Sequence, residues 1–139
     1  MRLEIMRRTD IALRALRLLE QEGATLQSSD LAQRLDSTPQ FIPQVLNPMV
    51  RAGWISSGTG PHGGYQLTTD LGRRTVLDLI ELIEGPTDDG RCVLQSSQCN
   101  SSRPCSLHDA WTGARAALIE RLRNTVISST DERGGMERR

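Results

Sequence analysis

Apolar residues recur at every third or fourth position over residues 8–22, with charged residues between them. This spacing places the apolar side chains on one face of an amphipathic helix. We expect Thr9 or Asp10 to cap the start of the helix, and Gly23 to end it. The chain therefore opens with a helix that has one face for a core and one for solvent.

Two further helices are predicted directly after the first. A short one covers residues 30–35, with Ser28 or Ser29 as its cap, and a longer one covers residues 39–52. Pro48 lies inside the longer helix, where it removes a backbone hydrogen bond, so we expect a kink there. A short helix, a tight turn and a longer helix are the outline of a helix-turn-helix.

A glycine-rich turn follows the helix pair. Residues 54–56 and 65–67 are two short apolar stretches, and residues 58–64 between them read GTGPHGG. Such a pattern predicts a β-hairpin. A helix-turn-helix followed by a hairpin is a winged helix, which favours DNA binding, although some winged helices make only protein contacts. The predicted fold class is mainly α with a small β-hairpin.

The second half of the chain contains two more predicted helices. The first covers residues 75–83, is apolar on nearly every side and is stopped by Gly85-Pro86. The second runs from Leu107 to about Arg123 and carries an apolar seam suited to a partner helix, so we expect dimerisation, with packing inside its own domain as the alternative. The seam consists of Leu107, Trp111, Ala114, Leu118 and Leu122.

These elements divide the chain into four parts. Residues 1–85 form the predicted winged helix-turn-helix DNA-binding domain, and residues 86–106 form a cysteine-rich loop. Residues 107–127 form the predicted dimerisation helix. The polar residues 128–139 are predicted to be a disordered tail.

The loop between the last two helices holds every cysteine of the chain. Cys92, Cys99 and Cys105 lie among polar residues that cannot form a core, and His108 follows one helical turn after the last cysteine. Thiolates that hold a metal or a cluster would order such a segment. Redox thiols without a metal, and cysteines with no special role, are the alternatives. Three cysteines would leave one thiol over from any disulfide framework.

Composition narrows the class of protein only slightly. The chain has 139 residues, 17 arginines, no lysine and 17 acidic residues, so its net charge is zero. A net charge of zero gives no indication of a nucleic-acid partner. The sequence contains no apolar run near 18 residues and no signal-peptide pattern. We therefore expect a cytoplasmic protein, in which grouped cysteines favour metal or redox roles.

Taken together, these features resemble the winged-helix iron–sulfur transcriptional regulators of the IscR/NsrR type, the Rrf-two (Rrf2) family. The resemblance covers about residues 1–127. It rests on Met1-Arg2-Leu3, on residues 9–16 (TDIALRAL), on residues 51–55 (RAGWI), on residues 60–65 (GPHGGY), on the three cysteines and on the start of the last helix.

The resemblance implies a homodimer that binds roughly palindromic promoter DNA and holds one iron–sulfur cluster per subunit. Cys92, Cys99 and Cys105 match the three cluster cysteines of the family. In one branch a histidine at the place of His108 completes a [2Fe–2S] site. In the other, an aspartate from the partner's first helix, at the place of Asp10, completes a [4Fe–4S] site. We favour His108 and [2Fe–2S], because an aspartate at that position can also be a helix cap.

The expected DNA contacts lie in the second and third helices and the wing. Two departures from the family pattern argue against carrying over a known operator sequence: Thr59 stands where the wing usually has an arginine, and Pro43 stands where the IscR-like branch has an acidic residue. Gln44 has the best chemistry for reading adenine. The candidate contacts are Ser28, Thr38, Gln40, Gln44, Arg51, Thr59, Gly60, His62 and Gly63.

The sequence thus predicts a regulator, expected to act as a repressor, that senses redox stress, nitric oxide or iron–sulfur status through its cluster. The alternative is an iron–sulfur electron-transfer or cluster-carrier protein without a DNA role, which would leave the helix pair and the glycine-rich hairpin unexplained. We expect no enzymatic activity, because no nucleophile and base are arranged convincingly in the sequence.

Overall fold

The structure is a computed structural model that describes residues 3–94 and 99–128. Met1 and Arg2, which open the family resemblance, lie outside the described residues. So do residues 95–98 of the cysteine-rich loop and residues 129–139 of the predicted tail.

Five α-helices and one two-stranded antiparallel sheet make up the described part of the chain. This architecture confirms the predicted fold class, a winged helix-turn-helix followed by a separate C-terminal helix. None of the described helices is both long enough and apolar enough to cross a membrane. The elements are α1 (Arg7–Glu22), α2 (Ser28–Arg34), α3 (Phe41–Arg51), β1 (Ile55–Gly58), β2 (Gly64–Leu67), a 3-10 turn (Leu71–Arg73), α4 (Val76–Glu84) and α5 (His108–Arg123).

Helix α1 lies at the centre of the core and packs against α3, α4 and β2. Its apolar positions follow the predicted helical spacing, and the side chains that face inward are almost completely buried. Burial of each large aliphatic side chain contributes about 1.5–3 kcal/mol. The buried apolar residues of α1 are Ile11, Ala12, Ala15, Leu16 and Leu19.

The start of α1 differs from the prediction, which placed Thr9 or Asp10 at the cap. The N-cap residue is Met6, and its side chain makes no capping bond. The Glu84 carboxylate, at the end of α4, supplies the acceptor at the start of α1 instead. Its Oε1 accepts the Met6 N–H at 2.9 Å and the Thr9 hydroxyl at 2.5 Å. The cap prediction was wrong because the acceptor comes from a helix distant in sequence.

Helix α2 also begins earlier than predicted. Its N-cap is Gln27, and neither Ser28 nor Ser29 serves as the cap. The Asp30 carboxylate accepts the Gln27 N–H at 3.3 Å, which is one half of a capping box. The first turn of the helix therefore includes the serines that were expected to precede it.

Helix α3 begins two residues later than predicted, at Phe41. The Thr38 hydroxyl accepts the Phe41 N–H at 3.3 Å and so satisfies one free donor at the helix start. Helix α3 continues through Pro48 as far as Arg51. Pro43 lies in the first turn, where a missing N–H removes no intrahelical bond.

The hairpin has the predicted position, with Ile55 opposite Leu67 and Gly58 opposite Gly64. Beyond the two strands, Leu26 pairs with Tyr65: the Leu26 N–H donates to the Tyr65 carbonyl at 2.9 Å, and the Tyr65 N–H donates to the Leu26 carbonyl at 2.7 Å. This bridge fixes the wing to the segment that connects α1 and α2.

The region after α5 corrects one predicted boundary. The helix ends at Arg123, as predicted, and the chain then turns back onto the core. Ile127 is fully buried, and its N–H donates to the Arg74 carbonyl at 2.8 Å. Ser128, assigned to the disordered tail, is buried, and its hydroxyl donates to Glu20 at 3.1 Å. Burial of Ile127 in the core favours this return over a longer helix.

The C-terminal return segment should contribute measurably to stability. We expect Ile127→Ala to lower the free energy of unfolding by about 2–5 kcal/mol and Ile127→Val by about 0.5–1.5 kcal/mol, because the side chain fills a buried site. Denaturant unfolding at one fixed protein concentration would measure both. An Ile127→Ala variant as stable as the parent would show that the segment is not anchored.

Candidate functional site

The loop between α4 and α5 brings the three cysteine side chains together. The Sγ atoms of Cys92, Cys99 and Cys105 all lie within 4.8 Å of one another, and those of Cys92 and Cys105 are 3.7 Å apart. Each cysteine is partly exposed and none forms a disulfide. No other described group of histidine, cysteine or acidic side chains has a geometry suited to a metal ion.

A tight turn between Cys99 and Cys105 makes this gathering possible. The side-chain oxygen of Asn100 accepts the N–H groups of Ser102 and Arg103, each at 3.0 Å, and also the Ser102 hydroxyl at 2.7 Å. An asparagine that bonds the backbone two and three residues ahead reverses the chain direction locally. The reversal returns Cys105 to the side of the loop on which Cys99 lies.

The loop is also attached to α5 at its beginning. Arg115 of α5 donates to the Asp88 carboxylate at 3.4 Å. Cys92 follows four residues later, and the N–H of Leu94 donates to its Sγ at 3.3 Å. A backbone N–H that donates to sulfur stabilises the thiolate form over the thiol. The loop thus contains a backbone donor, the Leu94 N–H, for a charged thiolate at Cys92.

His108 lies beside the cysteines at the first position of α5. Its backbone N–H donates to the Cys105 carbonyl at 3.1 Å, and its Nδ1 is 3.5 Å from the Sγ of Cys99. The three cysteines and His108 line a common cavity of about 230 Å³, together with Trp111 and other residues of the loop and α5. The cavity is therefore lined by three thiols and one imidazole that can bind a metal.

The protonation of the thiols follows from their crowding. The pKa of Cys99 is raised, chiefly because its hydrogen bond with Cys92 favours the protonated thiol. Several thiolates this close together repel one another unless a cation lies between them. A bound metal would replace these protons, so its affinity should increase with pH.

Asp10 lies apart from the cysteines within one chain. It occupies the first turn of α1, its carboxylate is half exposed, and it pairs with Arg14 at 3.6 Å. The expectation that Asp10 caps the helix is not met, because Met6 holds that position. The carboxylate is thus directed to the surface of the subunit.

The exposed face of α3 forms a second candidate site. Gln44 and Arg51 are exposed on this face, and Gln40 precedes it at the N-cap. Asn47 is also exposed, three residues after Gln44, and sequence reasoning missed it although the i, i+3 spacing was visible. A groove of about 270 Å³ separates this face from the wing and is lined by Pro43, Gln44, Asn47, Val50, Ser57 and Tyr65.

The wing tip presents Thr59, Gly60 and His62 to solvent. Gly60 has a φ of 86°, a conformation that favours glycine. At Gly63 an added Cβ would lie 2.6 Å from the Gly58 carbonyl oxygen, so the tight loop has no room for a side chain there. Gly63 therefore has a structural role in the wing tip that is independent of its predicted DNA contact.

Ser28 and Thr38 lie at opposite ends of the short α2 region. Ser28 is half buried and faces the wing across a cavity of about 560 Å³. Gln27, beside it, donates to the Pro61 carbonyl at 3.4 Å. Thr38 is exposed, and its hydroxyl caps α3. Thr38 thus has a structural role in addition to its predicted one.

Comparison with known proteins gives concordant results. The model of the Rrf2 family, described as iron-dependent transcriptional regulators, matches residues 5–130. The regulator IscR of Citrobacter koseri is 26% identical over 109 residues, which cover 78% of this chain and 66% of the relative.

Solved structures share the fold. The oxidized form of Staphylococcus aureus CymR has a TM-score of 0.73 at 22% identity, covering 94% of this chain and 98% of CymR. The structure of T. potens IscR has a TM-score of 0.69 at 19% identity, covering 90% of this chain and 83% of that protein.

The cysteine cavity should bind metal through its thiols. We expect Cys99→Ser to lose most of the metal that anaerobically purified protein retains, because a hydroxyl is a much harder ligand than a thiolate. Elemental analysis of both proteins measures this. Ser101→Ala, a change in the same loop without loss of a thiol, is the matched control and should keep its metal. Equal metal content in Cys99→Ser and the parent would contradict the assignment.

Proposed function

Because the chain belongs to the Rrf2 family of iron-dependent transcriptional regulators, we propose that it is a cytoplasmic, homodimeric repressor whose DNA affinity responds to an iron–sulfur cluster. The signals we expect it to sense are redox stress, nitric oxide or iron–sulfur status. The family membership and the winged-helix fold make the protein a helix-turn-helix transcriptional regulator. The cluster, the dimer and the signal are parts of the proposal.

The gathering of Cys92, Cys99 and Cys105 is the observation that supports the cluster most strongly. Three partly exposed thiols lie within 4.8 Å of one another in a loop with no apolar core to order it. Soft thiolate ligands select zinc, copper(I) or iron–sulfur clusters, and the iron-dependent family favours iron. When bound, the cluster supplies iron and sulfide that react with oxidants and nitric oxide, and the partly exposed loop gives them access.

Two ligand pairs support His108 as the fourth ligand. The Cys92 and Cys105 sulfurs are 3.7 Å apart, and the Cys99 sulfur is 3.5 Å from His108 Nδ1. The three thiols and the imidazole of one chain would therefore hold a [2Fe–2S] cluster, which we favour over [4Fe–4S].

Asp10 of the partner subunit is the alternative fourth ligand. The Asp10 carboxylate is half exposed, and its only ion pair among the described residues is with Arg14 at 3.6 Å. Because Asp10 is not the cap of α1, a capping role does not compete with ligation at this position. A ligand from the partner would favour [4Fe–4S] and would connect the cluster directly to the dimer.

Helix α5 supports dimerisation. None of its sixteen residues is buried. The apolar side chain of Leu118 is 45% exposed, and Trp111 is only partly covered. Leu107, at its N-cap, is 37% exposed. A second copy that packs along this helix would cover the apolar seam, and isologous contacts of this kind produce a two-fold dimer. Two-fold symmetry in turn favours a roughly palindromic operator.

Helix α3 and the wing support DNA binding. We propose that α3 enters the major groove, with Gln40, Gln44 and Arg51 near the base edges and phosphates. The wing tip, with Thr59, Gly60, His62 and Gly63, would lie along the neighbouring backbone. Ser28 and Thr38 would contact phosphates from the ends of the α2 region, as hydroxyl groups commonly do.

The fourth ligand can be identified by two substitutions. We expect His108→Ala to change the visible spectrum and the stability of the cluster, and Asp10→Ala to leave both nearly unchanged, because His108 lies 3.5 Å from the Cys99 sulfur whereas Asp10 pairs with Arg14. Absorption and Mössbauer spectra of anaerobic protein measure ligation and cluster type. The reverse result would assign the Asp10-ligated [4Fe–4S] form, and a colourless protein with stoichiometric zinc would refute the cluster itself.

Gln44 should read one base pair. A glutamine amide bonds adenine through two hydrogen bonds, so we expect Gln44→Ala to lose about 1–3 kcal/mol of discrimination at a single operator position. Affinity for all sequences should still fall steeply with salt. Competition binding with single-position operator variants measures the change. If Gln44→Ala ranks all variants as the parent does, Gln44 is not a base-reading residue.

A further inference from the structure

Pro48 leaves one carbonyl of α3 without its helical donor. The carbonyl of residue i in a helix accepts the N–H of residue i+4, and proline has no N–H. Pro48 therefore cannot bond the carbonyl of Gln44, four residues earlier in the same helix. That carbonyl belongs to the residue with the best chemistry for base reading on the exposed face.

Arg8 of α1 supplies the missing donor. Its guanidinium nitrogen Nη2 donates to the Gln44 carbonyl at 3.2 Å, across 36 residues of sequence. The bond comes from a different helix and is directed at the carbonyl that Pro48 leaves free. The ordinary α-helical bond to this carbonyl cannot form while residue 48 is proline.

The base of Arg8 is itself held in place. Thr9, the next residue, is buried, and its hydroxyl donates to Glu84. Met6, at the N-cap, donates its N–H to the same carboxylate at 2.9 Å. The first turn of α1 is thus fixed on α4, so Arg8 extends to α3 from a rigid position.

We propose that Arg8 is a positioning residue for DNA recognition: by bonding the carbonyl that Pro48 leaves free, it fixes the α3 backbone at Gln44. The inference rests on the proposed DNA-binding function and adds to it a residue outside the recognition helix and the wing. Arg8 acts through Gln44, so its loss should affect the base pair that Gln44 reads.

A direct bond from Arg8 to a DNA phosphate is the competing role, and salt dependence separates the two. Removal of one arginine that neutralises a phosphate reduces the slope of log affinity against log salt by about 0.9. Removal of a positioning residue leaves this slope unchanged. Arg8→Ala should therefore keep the salt slope of the parent and reduce discrimination at the Gln44 position about fivefold, the magnitude of one net hydrogen bond.

Pro48→Ala provides a rescue that only the positioning role predicts. Alanine restores an N–H at position 48, which can bond the Gln44 carbonyl within the helix. In the Pro48→Ala background, Arg8→Ala should then have little or no effect on discrimination. Arg14→Ala removes the same charge from the same helix, and Arg14 pairs with Asp10 rather than with α3, so this variant serves as the matched control.

The experiment uses the whole 139-residue chain and an operator selected from random duplexes. Affinity for the operator and its single-position variants is measured for the parent, Arg8→Ala, Pro48→Ala, the double variant and Arg14→Ala, with thermal unfolding to confirm that each is folded. Weaker discrimination at the Gln44 position, with rescue in the double variant, supports the proposal. A reduced salt slope without rescue, or unchanged discrimination in Arg8→Ala, overturns it.

Failure of the proposed function gives a different result. If the parent itself binds all duplexes equally, the chain is not a sequence-specific regulator, and the role of Arg8 is overturned together with that function. If the parent discriminates and Arg8→Ala discriminates equally well, only the role of Arg8 is overturned.

Discussion

The burial of one face of α1 is the constraint on which the rest of the structure depends. Five of its apolar residues between Ile11 and Leu19 are almost completely buried and pack where α3, α4 and β2 meet. Close-packed interiors resist small displacements, so these elements keep fixed positions relative to one another. Helix α3 and the helix that leads into the cysteine loop, α4, are therefore held by the same central helix.

The first turn of α1 contacts elements of both candidate sites. Glu84, which accepts hydrogen bonds from Met6 and Thr9, is the last residue of α4, and the segment leading to the cysteines begins directly after it. Arg8, between those two residues, donates a hydrogen bond to the Gln44 carbonyl of α3. A rearrangement of the cysteine loop that displaced Glu84 would change the support of the same turn. An element that both sites bias is the physical basis for coupling between them, and this turn bonds α3 through Arg8 and the end of α4 through Glu84.

Local sequence patterns predicted the parts of the fold that local forces determine. The helical spacing in residues 8–22 predicted α1 within one residue, and the glycines around His62 predicted the hairpin. The three cysteines were identified as candidate ligands because a polar loop has no apolar core in which cysteines could pack. Their actual separation could not be predicted, since it depends on the turn that Asn100 makes.

The features that were missed depend on residues distant in sequence. Glu84 replaces a local cap at α1, and the chain after α5 returns to the core and buries Ile127 and Ser128. The sequence predicted the missing helical bond at Pro48, but not that Arg8 would donate to the carbonyl concerned from α1. The partners in these bonds lie far apart along the chain, 78 residues for Met6 and Glu84 and 36 for Arg8 and Gln44, so no window of local periodicity contains both.

The most direct test of the account compares operator affinity in one anaerobic preparation before and after removal of the cluster. If the cysteine loop controls DNA binding, the two affinities should differ by about 5- to 150-fold, the range of ordinary allosteric coupling. The cluster-free parent and Cys99→Ser should then bind alike. Equal affinities with and without the cluster would contradict the sensor function and leave the cluster a structural role only.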